Sequence, residues 1–479
     1  MPVIKCAAIT CVLFTFLLSS FIAKAQTDTV PSQDSSFHNF VRINHILIDG
    51  NRRTKRQVIL RQITFSEGDT IAFDVLMKKI EESHNQLMNI GLFNEVVLNI
   101  KNWEDENIDV AVSVKERWYT FPVPALDLYD RNLNVWLVDH NASLKYLQFG
   151  LRFYQQNVRG RDEDLKLVAL FGYSQLYQIQ YNIPYINRKQ NIGLKVTTSF
   201  SRTRNLTYGF TNNKDLIYLN VDAYQKTNFY ALADVIYQPA FKYKYIFTMS
   251  YNDNEVTDTI AKLNPDYFLN GDTRQQYFTL RGLFIRDFRD IASYPLKGNY
   301  IEVSFSKIGL GLFDNVNIYS STAVLDHYVH FGKKWYASTV NKLKISFPKE
   351  QPYNLNRGLG YSSDYVHGYE YYIIDGQSFG YTRMDLKNQL LKIKIKTPPK
   401  NPFLKGANIP FALYGRVFAS AGYVKDDLYY ENNPLNNSLL LGGGLGLDLT
   451  LIYDTTIRVE YSINKLGEHG FFLHMNSIF

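Results

Sequence analysis

From about residue 119 to its end the chain alternates apolar and polar side chains with a period of two. Successive side chains of a β-strand point to opposite faces, so the pattern calls for strands with one apolar and one polar surface. Tyr177, Ile179, Tyr181 and Ile183 alternate with Gln178, Gln180 and Asn182; Ile457, Val459, Tyr461 and Ile463 alternate with Arg458, Glu460, Ser462 and Asn464. The last nine residues read FFLHMNSIF. Phe471, Leu473, Met475 and Phe479 share one face, His474 and Asn476 the other, and the chain stops on an aromatic. A barrel wall between hydrocarbon and a wet lumen has this composition.

A soluble sandwich also alternates, but its turns do not separate into a short and a long class. Here tight connections at 187–190 and 453–455 mix with polar stretches such as 252–272. About sixteen strands are expected, the first near Tyr146, one near Leu216 and the last near Gly470, with the last closing against the first. An even number suits a bacterial barrel. The chain carries 36 Tyr and 32 Phe at a mean hydropathy of -0.23, which aromatic girdles around a wet lumen require. Beyond the N-terminus no stretch approaches 18 consecutive apolar residues, so helical membrane spans are excluded.

Lys5 precedes an apolar run at 6–23 that ends in Ala23-Lys24-Ala25, the small-x-small pattern of a secretory cleavage site. Residues 1–25 are read as a signal peptide and 26–40, rich in Ser, Asp and Gln, as a disordered lead. Cys6 and Cys11 both lie in the leader, so the mature chain is expected to have no disulfide, thiol catalysis or cysteine metal site. Loss of Lys5 and Lys24 lowers the formal charge from +7 to +5, spread thinly and no mark of nucleic-acid binding.

Residues 41–118 differ. An alternating strand over 41–48 meets the turn Asp49-Gly50-Asn51, and Thr54 is placed to cap a short helix with Val58, Ile59 and Ile63. A longer helix carries Leu76, Ile80, Leu87 and Ile90, with Gly91 set to end it, before strands at 93–100 and 108–114. This order, with "IDGNRRT", "IGLFNEVVLNI" and "VSVKERW", resembles a POTRA domain, the periplasmic module of the BamA-like outer-membrane assembly family. The fold expected is therefore mostly β: one small α+β POTRA-like domain at 41–118, then an antiparallel transmembrane barrel of about 16 strands over 119–479.

The resemblance extends to a luminal motif. In that family the sixth extracellular loop folds back into the lumen and carries a V/I-R-G-F/Y tetrad, whose Arg pairs with an acid in an F-x-D-x-G segment. The polar interruption at 348–380 contains Val366-His367-Gly368-Tyr369, and the partner segment reads Phe418-Ala419-Ser420-Ala421-Gly422. Arg is replaced by His367 and Asp by Ser420, a coherent double loss because a lone luminal charge is costly. A neutral His bonded to Ser makes a weaker latch. In the run Gly442-Gly443-Gly444-Leu445-Gly446-Leu447-Asp448, Gly444, Gly446 and Asp448 resemble the family's G-x-G-L-R strand with Asp in place of Arg; the glycines suit bending or close packing of the loop. Asn157 to Arg161 resembles a family segment after the first strand, and reads equally as a polar turn.

Catalytic constellations are missing. His327 and His330, three apart, fall on opposite faces of a strand, and the acidic run at 253–258 reads as solvated loop charge. Arg52, Arg53, Lys55 and Arg56 form a basic cluster on the first helix, read as a solvated face or a lipid or partner contact. No enzyme activity, cofactor or metal is expected. The resemblance implies an outer-membrane location with the small domain in the periplasm. It further implies contact with outer-membrane lipids, unfolded outer-membrane or secreted clients and periplasmic accessory proteins, and a role in protein assembly, insertion or translocation. The C-terminal Phe471, Leu473, Met475 and Phe479 would be its own assembly signal. The alternative is a pore or surface receptor of the same architecture, which the altered His367, Ser420 and Asp448 favour.

Overall fold

A computed structural model describes residues 40–128, 143–187, 189–204, 206–219, 221–313, 316–361, 363–396, 408–451 and 455–476. The expected leader at 1–25, the expected lead at 26–40 up to residue 39, and Phe479 lie outside these residues. The small domain comprises β1 (Phe40–Asp49), α1 (Arg56–Arg61), β2 (Thr70–Ala72), α2 (Phe73–Asn89), β3 (Phe93–Glu104) and β4 (Asn107–Glu116). Its sheet order is β2-β1-β4-β3, with β1 parallel to β4 and the other pairs antiparallel. Leu76 and Leu87 on one face of α2, Val58 and Ile59 of α1, and Ile43, Ile108, Val110 and Val112 of the central strands form the core. Strand β2 has three residues, too short for a periodicity to show.

Thr54 does not cap α1. Lys55 holds the cap position without a side-chain bond. The Thr54 hydroxyl donates instead to Glu116 Oε1 at 2.6 Å and lies 3.0 Å from the Tyr119 hydroxyl. A buried hydroxyl takes the stronger charge-assisted acceptor when one is in reach.

The wall is one antiparallel sheet of 16 strands. Its first half is β5 (Thr120–Leu128), β6 (Leu147–Val158), β7 (Glu163–Gly172), β8 (Ser174–Ile183), β9 (Ile192–Thr203), β12 (Lys226–Ala240), β13 (Tyr243–Val256) and β14 (Arg274–Asp287). The remainder is β15 (Gly298–Ile308), β16 (Ile318–Phe331), β17 (Trp335–Phe347), β18 (Ser378–Lys396), β19 (Asn408–Lys425), β20 (Leu439–Thr450), β21 (Thr456–Asn464) and β22 (His469–Asn476). Two short strands, β10 (Thr207–Thr211) and β11 (Asp215–Tyr218), pair only with each other among the described residues.

The expected number of strands therefore stands, through two offsetting differences. The segment near Leu216 is not wall: it folds as the β10–β11 hairpin, whose turn residue Asn213 is fully buried and bonded to Ile373, Leu435 and Asn436. The true first strand is β5, and the strand at Leu147 lies second, between β5 and β7. Pro122 and Pro124 disguise β5. The Tyr119 carbonyl accepts the Gln156 amide at 2.7 Å, which turns the polar groups of odd residues toward β6 and those of even residues toward the outer edge. Both prolines thus withhold an N–H from the edge alone, the one side of a sheet where proline is tolerated. Among the described residues β22 pairs with β21 and no ladder joins it to β5.

Strand faces separate cleanly. Val459, Tyr461 and Ile463 are exposed while Glu460, Ser462 and Asn464 are buried, and the same division places Phe471 and Leu473 outside and Phe472 inside. Val235, Tyr237, Tyr245, Phe247, Met249 and Phe305 continue the outer apolar belt. So broad an apolar surface needs hydrocarbon around it. No helix among the described residues is long and apolar enough to cross a membrane; the crossing elements are strands. The run at 252–272 is also not all loop: β13 extends to Val256, and α3 (Asp258–Leu263) buries Ile260 beside Tyr267 and Phe268. Asp253 is paired across the sheet with Arg274 at 2.7 Å.

The small domain is tied to the β6–β7 and β8–β9 turns. Lys55 N–H donates to Gly160 O at 2.9 Å and Asn157 Nδ2 to Thr54 Oγ1 at 2.8 Å, while Arg61 stacks on Tyr185 at 4.4 Å. Tyr119, just past the expected domain boundary, packs in the small-domain core. Thr54→Val should leave the buried Asn157 amide without its acceptor and weaken this joint by about 1–3 kcal/mol. Hydrogen exchange at the Lys55 amide should rise, and unchanged exchange would show that the joint does not depend on Thr54.

Candidate functional site: a loop seated in the barrel

The connection from β17 to β18, residues 348–377, turns back into the barrel. Leu359, Val366, Tyr369, Tyr372 and Ile374 pack on Phe379 and Tyr381 of β18, Val424 of β19 and Leu440 of β20. A bridge between Leu359 and Ile374 holds the loop's two arms together. Lys342 pairs with Asp364 at 2.6 Å, and Asn464 Nδ2 donates to Gly368 O at 2.8 Å. Each apolar contact lands on an inward position of a strand whose neighbouring residues face lipid.

The tetrad lies deepest. His367 is 2 % exposed. Its backbone N–H donates to Ser420 Oγ at 3.1 Å, its ring Nδ1 lies 3.1 Å from the same oxygen, and Ser420 Oγ donates to Gly442 O at 3.3 Å. The imidazole rests on Phe418, centroids 4.2 Å apart. Burial and then Arg416 hold the imidazole well below its usual range, so it is neutral. Close approach is possible because the wall is glycine here. A Cβ on Gly422 would lie 2.5 Å from Val366 Cγ2, and one on Gly442 1.8 Å from His367 O. Gly444 clears space for Phe418 and Gly446 for Arg416. Gly368 itself has φ +82°.

Beneath the tetrad stands a cluster of buried charges. Arg416, two residues from Phe418 on the same face of β19, is 2 % exposed by side chain and binds Glu460; it also meets Asp385 at 2.7 Å and Asp448 at 3.4 Å. Arg458 lies 3.4 Å from Asp448 and 3.6 Å from Glu460, and Lys387 4.0 Å from Asp448. From the opposite mouth, Tyr294 in the β14–β15 turn donates to Asp448 Oδ2 at 2.7 Å and packs on Tyr414. Three acids and three bases, of which only Arg458 is appreciably exposed, must largely satisfy one another or pay a large desolvation cost. His367 Nε2 stands 3.6 Å from Glu460 Oε2, so the loop touches the cluster directly.

Two further loop acids are buried. Burial pushes Glu370 up to about 8, against nearby backbone N–H groups of Glu370 and Gly368 and against Arg383. Burial likewise pushes Asp375 up to about 7, although Gly358 N–H at 3.0 Å and Tyr361 OH at 2.8 Å donate to it. A raised carboxyl favours the seated loop below its unfolded value near 4, and this contribution is lost as pH rises through 7. Hydrogen exchange of residues 348–377 should therefore increase between about pH 5 and 8. Asp375→Asn should flatten that rise; an unchanged pH profile in the variant would exclude Asp375 as its source.

The expected residues thus separate into two groups. Val366, His367, Gly368, Tyr369, Ser420, Gly422, Gly444, Gly446 and Asp448 converge in the lumen, whereas Phe471 and Leu473 face outward on β22; nothing is described of the Met475 side chain. Sequence reasoning missed Arg416, Asp385, Lys387 and Tyr294. One signal was available: Arg458 and Glu460 share the polar face of an alternating strand, and inward charges need inward partners. Register then places Arg458 opposite Asp448 and Glu460 opposite Gly446, which in turn faces Arg416.

This geometry can be set beside known proteins. A family model described as surface antigen variable number repeat, POTRA, matches residues 41–117, and the Omp85 superfamily domain matches residues 157–451. Over 76 residues, 16% of this chain, the sequence is 37% identical to outer membrane protein assembly factor BamA of Neorickettsia risticii (strain Illinois), a stretch covering 10% of that protein. Among solved structures, CdiB from Escherichia coli superposes with a TM-score of 0.54 at 12% identity, covering 91% of this chain and 75% of that one. BamA from Haemophilus ducreyi lacking POTRA domains 1-3 gives 0.51 at 14% identity, covering 91% and 84%. At such identities these likenesses speak for the fold. Because the matched superfamily domain spans more than half of its length, the chain belongs to the Omp85 superfamily, as an outer-membrane β-barrel with a periplasmic POTRA domain.

Proposed function

We propose that this protein helps to assemble, insert or translocate other proteins at the outer membrane, in a non-enzymatic role that begins on the small domain. The observation that carries the reading is the edge of β3, which is unpaired among the described residues. It ends the sheet, and beside it α2 leaves a shallow groove lined by Met77, Ile80, His84 and Leu98, with Met77 and Val97 exposed. An unpaired edge beside apolar side chains accepts an extended client strand by β-augmentation. The relatives' names, an assembly factor among them, agree with this reading. The outer belt would meet lipid, and the remaining POTRA surface is available to accessory proteins.

A photo-crosslinker at Val97 should trap newly made outer-membrane proteins, whereas one at Arg42, where β1 is paired on both sides, should not. Depletion should lower the levels of those clients. Unchanged levels with no adducts, together with conductance in planar bilayers, would instead favour the pore. The buried loop across the lumen speaks against a permanently open channel.

A further inference from the structure

Glu370 of the loop, Glu460 of β21 and His474 of β22 converge where the loop meets the last two strands. We propose that these three side chains form a binding site for a divalent transition-metal ion of the zinc class, which fastens the loop to the final strand. His474 Nε2 lies 3.9 Å from Glu370 Oε1 and 3.9 Å from Glu460 Oε2, and one ligand atom from each residue lies within 4.8 Å of the others. The centre of such a triangle is about 2.3–2.8 Å from each corner, so a small closure reaches the ~2.0–2.2 Å bonds that zinc makes to imidazole and carboxylate.

The polar atoms around this point lack other partners. The Glu370 side chain is 7 % exposed. Among the described residues neither of its oxygens, nor Glu460 Oε2, nor His474 Nε2, meets a hydrogen-bond partner at bonding geometry. Arg416 and Arg458 approach Glu460 through Oε1, which leaves Oε2 to the site. The ligands are also held in place: the Tyr365 ring stacks parallel on His474 at 5.0 Å and 4°. His367 Nε2 stands 3.6 Å from Glu460 Oε2, at the edge of the three-residue group, with its Nδ1 turned to Ser420. The guanidinium groups of Arg383, Arg416 and Arg458 oppose added positive charge, so micromolar rather than nanomolar binding is expected.

The site sits on the last strand, so a bound ion would restrain both the loop and β22. The full chain in detergent micelles, stripped with chelator and titrated with Co²⁺ and then Zn²⁺, tests this. One equivalent should bind, with a visible cobalt spectrum that zinc displaces and with slower hydrogen exchange in β22. Glu370→Gln should weaken zinc binding at least ~10-fold, whereas His45→Gln, on an exposed position of β1, should not. Absence of a saturable cobalt spectrum in the unaltered protein overturns the proposal without any variant. Equal zinc affinity in folded Glu370→Gln overturns it as well.

Discussion

Arg416→Ala is expected to destabilise the barrel by about 3–5 kcal/mol, because it strands buried acids rather than removing one contact. Asp385, Asp448 and Glu460 all take that guanidinium as a partner, and Asp448 and Glu460 are fully buried. The loss should appear as a lower temperature for the shift of the heat-modifiable band and for thermal unfolding in micelles. Arg416→Met combined with Glu460→Gln should recover part of it, since two neutral groups of similar shape leave fewer charges uncompensated. Arg458→Ala should cost less, as its side chain is 21 % exposed and water replaces part of what it supplies. Equal melting of Arg416→Ala and the unaltered protein would mean that the cluster is not held through Arg416.

Gly442→Ala should unseat the loop. The added methyl would lie 1.8 Å from His367 O and 2.9 Å from its carbonyl carbon, and both are backbone atoms that cannot rotate away. Overpacking of this kind costs about 1–3 kcal/mol, and the least costly relief is withdrawal of the tetrad from the wall. Cysteines at His367 and Ser420 should crosslink in the otherwise unaltered protein and fail to do so in the Gly442→Ala background. Gly282→Ala is the control, because a Cβ there meets nothing within 4 Å. A crosslink that persists with Gly442→Ala would show that the loop has another way to accommodate the wall.

These two residues mark the limits of what the sequence discloses. Gly442 was legible as part of a glycine-rich strand, and the resemblance pointed to a loop that packs there. Arg416 was not, although its chemistry dominates the site. The exchange of Arg for His367 and Asp for Ser420 suggested a site that had shed its charges. In the folded chain the His–Ser contact exists, and a guanidinium from the wall binds acids from three strands just below it. The charge sits on the scaffold rather than on the loop. Spacing along β19 shows that Arg416 shares a face with Ser420, but not which acids face it, because those lie 31 to 44 residues away.

Local alternation by itself determined that the chain forms strands with one lipid-facing and one wet side, and helical periodicity determined the two helices of the small domain. Both are properties of consecutive residues, set by the geometry of side-chain projection. Which strands make the wall was decided only in three dimensions. Alternation near Leu216 cannot distinguish a wall strand from a hairpin pinned by Asn213, and the prolines of β5 conceal a strand that is acceptable only at an edge. The luminal cluster, the loop's seat and the joint at Thr54 were decided there too. Each satisfies a buried polar group with partners remote in sequence, and burial, which makes those partners necessary, does not exist until the sheet curls around them.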